Sequence, residues 1–430
     1  MRTYDLVGIG IGPFNLSLAA LADEVDGLDA LFLDDKPEFS WHSGMLLDGT
    51  TLQVPFLADL VTLVDPTNRW SFLSYLRAHE RLFPFYFFER FEVPRREYDH
   101  YCRWVASSLP GCRFNSCVER VDRGGDGAAL TVTYTDQRTG RRHTVTARNV
   151  VLGIGTAPAT PAVFDGVLSK RVFHSADYRH NAGALDDAGD VTVVGSGQSG
   201  AEVFLDLLRK QPDTGTRLRW LTRSPAFAPM EYSKLGLEHF TPDYTRYFRG
   251  LPAATRDALF PAQWQLYKAI SADTIAQIYD LLYERSVAAS RPPATLTPNV
   301  AVRHAEPHGE GFRLTCTETL QQQEYAVHTD AVVLATGYQA RQPSVLAPVR
   351  DLLDTDAQGR VRADAAYRVS TAPAPAAGVY VQNAEAHTHG VGTPDLGMGA
   401  WRAATILNSV AGRTVHPLPD RTAFTTFGVA

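Results

Sequence analysis

Tyr4-Asp5-Leu6-Val7-Gly8-Ile9-Gly10-Ile11-Gly12-Pro13-Phe14-Asn15 is the stretch that decides the fold. A short apolar run leads into glycines at 8, 10 and 12, and an apolar helical run, Leu16-Ser17-Leu18-Ala19-Ala20-Leu21, follows. About twenty residues further on, Leu31-Phe32-Leu33 ends in Asp34. Strand, glycine turn, helix, strand and acid, in that order, are the layout of a dinucleotide-binding βαβ unit. Glycines let the backbone approach a pyrophosphate, and the helix N-terminus offers free N–H groups and partial positive charge. The acid bonds a ribose hydroxyl. Taken alone, the pattern also fits a tight turn that binds nothing, and Pro13 stands where the usual third glycine would be.

A second copy makes the ligand-free reading improbable. Val191-Thr192-Val193-Val194 runs into Gly195-Ser196-Gly197-Gln198-Ser199-Gly200, a full G-x-G-x-x-G, and a helical run from Val203 to Leu208 follows. The next apolar run, Leu218-Arg219-Trp220-Leu221, ends in Thr222-Arg223-Ser224 with no acid. A basic residue there suits a 2′-phosphate, hence NADPH over NADH; the bland alternative is a solvated arginine. An acid in the first unit and an arginine in the second read as FAD first and NADPH second. The apolar run Asp330 to Ala335, ending in Thr336-Gly337-Tyr338, is expected to return the chain to the first unit.

The expected class is therefore α/β, with two Rossmann-like dinucleotide-binding domains and a mainly helical substrate-site insertion. The FAD domain is placed at 1–165 and 328–430, the NADPH domain at 166–225 and 296–327, and the insertion at 226–295. The insertion repeats neither glycine unit; helical runs are expected at 255–268 and 272–287. Elsewhere, 97–108 reads as helix, while 113–121, 129–135 and 143–152 alternate as strands, with a turn at Gly124-Gly125-Asp126-Gly127. The aromatic stretch 69–88 reads as helix and core rather than a stacking platform.

Composition narrows the function classes. The chain has 430 residues, 44% of them hydrophobic, and a net charge of −6 with acids and bases interspersed. No long basic run points to nucleic acid or an anionic membrane, and no apolar run approaches the roughly 20 residues of a bilayer span. The four cysteines, Cys102, Cys112, Cys117 and Cys316, form no C-x-x-C pair. That argues against a disulfide framework, a dithiol reductase and a zinc site. A cytoplasmic protein without a leader peptide is expected. His387 and His389 read as loop histidines and no metal is assigned.

At this point the motifs resemble a family. They are Gly8-x-Gly10-x-Gly12-Pro13-x-Asn15, Phe39-Ser40-Trp41-His42, Gln53 with Phe56-Leu57-Ala58-Asp59-Leu60, Gly195 to Ser199, Ala335-Thr336-Gly337-Tyr338 and Thr388-His389-Gly390. Nearly the whole chain is similar to the flavin-dependent N-hydroxylating monooxygenases of hydroxamate siderophore biosynthesis, in which Pro13 is a family feature. The resemblance implies FAD contacts from Asp34, Asp35, Lys36, Trp41, His42, Gln53, Val118, Thr336, Gly337, Pro394, Asp395 and Leu396, besides the first glycine turn. It implies NADPH contacts from the second glycine turn, Arg223, Ser224, Leu266, Tyr267 and Lys268. It also implies N-hydroxylation with O2 through a C4a-hydroperoxyflavin, in a homo-oligomer (dimer or tetramer).

Departures from the family pattern bear on the substrate. Amino-acid-hydroxylating relatives carry a lysine where this chain has Ala58, and it pairs with the substrate's α-carboxylate. Ornithine-specific relatives add an asparagine where this chain has Leu237. A carboxylate buried without its cation would cost several kcal/mol. The resemblance thus points to the diamine branch, with putrescine and cadaverine left open. Gln53, Ala58, Leu237, Glu238, Asp243 and Gly397 are the expected substrate-side residues. Glu238, Asp243 and Asp395 are candidates for the far ammonium. The alternatives are a lysine or ornithine hydroxylase and a non-catalytic FAD/NADP-binding protein.

Overall fold

The first helix, Pro13–Ala22, begins directly after Gly12. Proline at the first helical position gives up no hydrogen bond and presets φ. Gly10 has φ +86, and a Cβ there would lie 2.6 Å from the Gly153 carbonyl oxygen, so only glycine fits. Asn15 then locks the turn from inside. Its Nδ2 donates to the Gly10 carbonyl at 2.8 Å, and its Oδ1 accepts from Gln382 Nε2 at 2.7 Å.

The computed structural model describes residues 2–125, 128–287, 293–341, 343–369 and 377–429. The first sheet has five parallel strands in the order Gly378–Val381, Asn149–Leu152, Leu6–Ile9, Ala30–Leu33 and Cys112–Arg113. Helices Pro13–Ala22, Arg95–Ser108 and Gly399–Ala411 bury a shared core that includes Leu16, Leu18, Tyr101, Val105 and Ile406. On another side, Ser116–Arg123, Leu130–Asp136 and Arg141–Ala147 form an antiparallel layer to which Thr3–Tyr4 adds. Of the turn expected at 124–127, Asp126 and Gly127 lie outside the described residues.

The second sheet is also five-stranded and parallel, in the order Val172–His174, Ala331–Leu334, Asp190–Val194, Arg217–Leu221 and Ala294–Thr297. Its glycine helix runs from Gln198 to Thr214. A three-stranded antiparallel sheet, Val300–His308, Gly311–Glu318 and Gln323–Thr329, packs beside it.

Two expected boundaries move. The run at 331–334, expected in the FAD part, pairs on both edges inside the second sheet. The chain crosses back only afterwards, at Tyr338–Ala340, which pairs antiparallel with Thr156–Pro158. Periodicity marks a buried strand but not which sheet takes it. The insertion also divides. Helix Ala272–Ser286 packs on the second glycine helix and places Ile278 in that core. It lies on the crossover that the parallel pair Arg217–Leu221 and Ala294–Thr297 requires. Helices Pro242–Gly250 and Ala253–Ala262 instead join a small cluster of Tyr244, Phe248 and Val391.

The aromatic stretch also differs from expectation. Trp70, Phe72 and Tyr75 are core, but helix Leu82–Phe88 buries no residue. Phe83, Tyr86 and Phe87 are 78%, 71% and 74% exposed. Among the described residues no helix is long and apolar enough to cross a membrane.

Candidate active site

Both glycine turns open at the carboxyl ends of their sheets, where doubly wound folds place ligands. At the first, Asp34 is 6% exposed and faces back onto the turn. Its Oδ2 accepts the Ile11 N–H at 2.6 Å and its Oδ1 the Lys36 N–H at 2.9 Å. Burial pushes its carboxyl up, against those donors. The acid thus shapes the glycine loop as well as ending its strand. Lys36 Nζ donates to the Ser40 carbonyl at 3.2 Å, and Asp35 is exposed. Trp41 packs edge-on against His42 and Tyr98, and its backbone N–H donates to Asp99 Oδ1 at 2.9 Å. Val118 lies in strand Ser116–Arg123 and packs on the second of the first unit's cores. Gln53 Nε2 is buried with no hydrogen-bond partner. Thr336 Oγ1 is spent on the Ala159 carbonyl at 2.7 Å, which secures the crossing strands.

At the second turn, Gly195 has φ +113, and a Cβ would lie 2.1 Å from the Ala335 carbonyl oxygen. Ser196 Oγ shares a hydrogen bond with Thr222 Oγ1 at 2.7 Å, and the Ser224 N–H also donates to Thr222 Oγ1. Gln198 is fully engaged, donating to Glu202 and Thr274 and accepting the Ser271 N–H. Its side chain fastens helix Ala272–Ser286, which the resemblance did not convey. Ser199 stands in the first turn of the glycine helix. Arg223 is exposed just beyond strand Arg217–Leu221, and no described residue hydrogen-bonds its guanidinium. The Lys268 carbonyl lies 3.5 Å from where a Gly197 Cβ would be, so Lys268 reaches this turn, whereas Leu266 and Tyr267 pack on the cluster of Tyr244, Phe248 and Val391.

A third group of residues comes from the loop after His389. Ala58 is 5% exposed. A Cβ on Gly397 would lie 3.9 Å from Ala58 Cβ and 2.8 Å from Asp395 Oδ1. Ala58, Gly397 and Asp395 therefore form one cluster. Asp395 accepts the Gly397 N–H at 2.8 Å, and burial pushes its carboxyl up to about 6. Burial, together with the Asp395 and Glu92 carboxylates, pushes the nearby Tyr232 hydroxyl up to about 12. Leu237, 39% exposed, stands on the turn that follows Tyr232. Pro394 is exposed beside Asp395, and Leu396 packs on the first core.

Two expected ammonium partners prove to be structural. Glu238 accepts the N–H groups of Phe424 and Thr425 at 2.9 and 2.8 Å. Asp243 accepts the Thr422 N–H and hydroxyl at 2.5 and 2.6 Å and pairs with Arg246. Both carboxylates tie down the C-terminal segment, a role with no local signal in the sequence.

Two buried ion pairs also escaped sequence reading. Arg402, 1% exposed, lies 3.2 Å from Glu385, 0% exposed. Arg402 also donates to the Thr393 carbonyl at 2.6 Å and sits 4.6 Å over the Phe14 ring. It fixes the Asp395 loop to the first glycine helix. Arg95 makes a fork to Glu202, at 2.9 and 2.6 Å, and joins the two units. Among the described residues, no group of three His, Cys, Asp or Glu side chains could hold a metal.

The L-lysine 6-monooxygenase/L-ornithine 5-monooxygenase family model matches residues 2–340. The chain belongs to that family. It is thus an N-hydroxylating monooxygenase with two Rossmann-like units. It is 43% identical over 437 residues to the rhizobactin siderophore biosynthesis protein RhbE of Rhizobium meliloti (strain 1021), covering 100% of this chain and 96% of that one. It is 42% identical to a putrescine N-hydroxylase of Shewanella oneidensis, covering 99% and 84%. Among solved structures it superposes on FAD-bound DfoA, the desferrioxamine biosynthetic pathway cadaverine monooxygenase of Erwinia amylovora. The TM-score is 0.96 at 39% identity, covering 100% and 99%.

Proposed function

We propose that this monooxygenase N-hydroxylates one primary amine of an aliphatic diamine, putrescine or cadaverine, with FAD, NADPH and O2, for hydroxamate siderophore assembly. The observation that carries the reading is the Ala58–Gly397–Asp395 cluster. The position that holds a cation in amino-acid hydroxylases is a methyl group here, and beside it lies a recessed carboxylate. A carboxylate there repels an α-carboxylate and attracts an ammonium.

The residues fit the cofactors. Glycines at 8, 10 and 12 leave a bare backbone ahead of a helix N-terminus, and the orphaned Gln53 amide offers a donor with nothing to bond. Bound FAD, reduced at the expense of NADPH, supplies activation of O2 for transfer of one oxygen atom to an amine nitrogen. The chain's part is to hold and desolvate the substrate. Asp395 binds the far ammonium, with Ala58 and Leu237 offering no cation or amide to a carboxylate at that end, and exclusion of water around the reacting amine favours its neutral form. An amine near pKa ~10.4 needs that help to react as the free base.

The test is NADPH oxidation coupled to hydroxylamine formation with putrescine, cadaverine, lysine and ornithine side by side. Product from a diamine, with little from either amino acid, is expected. Efficient lysine hydroxylation would overturn the diamine assignment, and a flavin never bleached by NADPH would overturn catalysis.

Arg223 is proposed to bind the NADPH 2′-phosphate, since it lies just beyond strand Arg217–Leu221 with no competing partner among the described residues. Arg223→Ala is expected to raise the KM for NADPH about tenfold or more while leaving that for NADH nearly unchanged, in line with roughly 1.5–3 kcal/mol for a hydrogen bond to a charged group. Equal losses with both nucleotides would refute the assignment.

A homo-oligomer, dimer or tetramer, is also proposed, with helix Leu82–Phe88 in the contact. Its exposed Phe83, Tyr86 and Phe87 resemble the aromatic core of an interface more than a solvated surface. Phe83→Lys with Phe87→Lys is expected to lower the mass seen by sedimentation while keeping the yellow colour. An unchanged mass would place the contact elsewhere. The cytoplasm is proposed as the site of action, where NADPH is available and four free cysteines stay reduced.

A further inference from the structure

A cavity of about 300 Å3 lies between the helices Pro242–Gly250 and Ala253–Ala262 and the segment 354–369. Four arginines line it, Arg249, Arg256, Arg362 and Arg368, against two acids, Asp354 and Asp364. Neither glycine turn contributes to it, so it is separate from both dinucleotide sites.

The acids do not use up Arg249 or Arg256. Asp364 Oδ1 accepts the backbone N–H groups of Ala366 and Arg368 at 2.8 and 2.9 Å. Asp354 lies 3.7 Å from Arg362, a loose and exposed pair. Arg256 spends Nη1 on the Arg249 and Leu251 carbonyls, which close the helix above, but its Nε is buried with no partner. Arg249 is half-buried at the end of that helix. Among the described residues nothing hydrogen-bonds its guanidinium, and no carboxylate comes within ion-pair distance. Arg256 Nε is thus a buried donor with nothing to bond, and the half-buried Arg249 guanidinium stands unpaired on the same cavity. Buried donors are ordinarily satisfied, so Arg256 Nε points to a missing acceptor.

We propose that this cavity binds a small dianion, a phosphate or an organic dicarboxylate, gripped by Arg249 and Arg256 with Arg362 at the rim. Guanidinium forks match both oxyanions in bidentate geometry. The volume is at the lower end for small-molecule sites, which suits a ligand of a few heavy atoms.

The experiment uses the FAD-loaded enzyme with saturating NADP+, so that any phosphate preference around Arg223 is already occupied. The thermal midpoint is followed while inorganic phosphate, malonate or sodium chloride at matched ionic strength is added. A saturable rise with phosphate or malonate but not chloride is expected, and the anion that saturates at lower concentration identifies the class. Arg249→Gln should weaken the apparent affinity at least tenfold. Arg362→Gln, whose side chain is 54% exposed and safe for folding, should weaken it severalfold. The distant exposed Arg90→Gln should change nothing. A rise equal in chloride, or titrations unaltered by both cavity substitutions, would overturn the proposal.

Discussion

Asp395→Asn is expected to raise the KM for a diamine by about 10- to 100-fold and to change kcat far less. A hydrogen bond to a charged group contributes roughly 1.5–3 kcal/mol, and about 1.4 kcal/mol is a factor of ten. Asn keeps the volume and still accepts the Gly397 N–H, so the loop should survive. The pH dependence carries a second signature. Burial holds the Asp395 carboxyl up at about 6, so it is charged above that pH and neutral below. As pH falls through 6, kcat/KM for a diamine should drop about tenfold per unit beyond the loss due to amine protonation. The Asn variant should lack that extra limb. A normal KM in Asp395→Asn at pH 8 would remove Asp395 from the ammonium site.

Ala58→Lys tests the same cluster from the other side. A lysine at 58 starts 3.9 Å from the Gly397 Cβ position and brings an ammonium to Asp395. It should compete with the substrate's own charge and cut diamine kcat/KM about 100-fold or more, by the same arithmetic. Asp395→Asn added to Ala58→Lys should cost little further, because the two changes act on one contact.

The glycine turns were legible because their constraint is local. Gly10 and Gly195 require positive φ and bare backbone, Pro13 fits a first helical position, and spacing alone shows all three. The cluster proposed to hold the substrate was legible only through departures from a pattern, Ala58 above all. What stayed hidden has long-range causes. Ala331–Leu334 reads as a buried strand whichever sheet receives it, and its pairing with Asp190–Val194 settles the matter. Glu238 and Asp243 sit among aromatic residues that suggest a pocket, yet their partners lie 179 to 187 residues away in the C-terminal segment. Leu82–Phe88 looks like core by composition, but only Phe85 packs on the first core, edge-on to Phe56 and Phe72, while Phe83, Tyr86 and Phe87 stay exposed. Hydrophobicity alone does not tell which face of such a helix is buried.

Arg95 and Glu202 are 107 residues apart and carry the other large effect. Arg95 begins helix Arg95–Ser108 in the first unit, and Glu202 stands one turn inside the second glycine helix. The fork between them is buried, with side chains 11% and 4% exposed, and Arg95 also donates to the Met45 carbonyl at 2.9 Å. Removing one partner strands a charge away from water, which costs about 3–5 kcal/mol, whereas replacing both by apolar groups of similar size is often close to neutral. Arg95→Met alone should therefore lower stability by about 3–5 kcal/mol, as should Glu202→Leu, while the double variant should recover most of the loss. Urea unfolding of the FAD-loaded enzyme reads this directly; additive losses in the double variant would mean that the two side chains do not depend on each other. Activity separates stability from geometry. The fork fixes how the second unit sits on the first, and hence how a nucleotide proposed to bind at Gly195–Gly200 would be placed relative to one proposed to bind at Gly8–Gly12. The double variant, although stable, should consume NADPH more slowly, with a lower fraction of that consumption appearing as hydroxylamine. Normal rate and coupling in that variant would show that the remaining contacts, such as Tyr338–Ala340 against Thr156–Pro158, hold the two units in register without the ion pair.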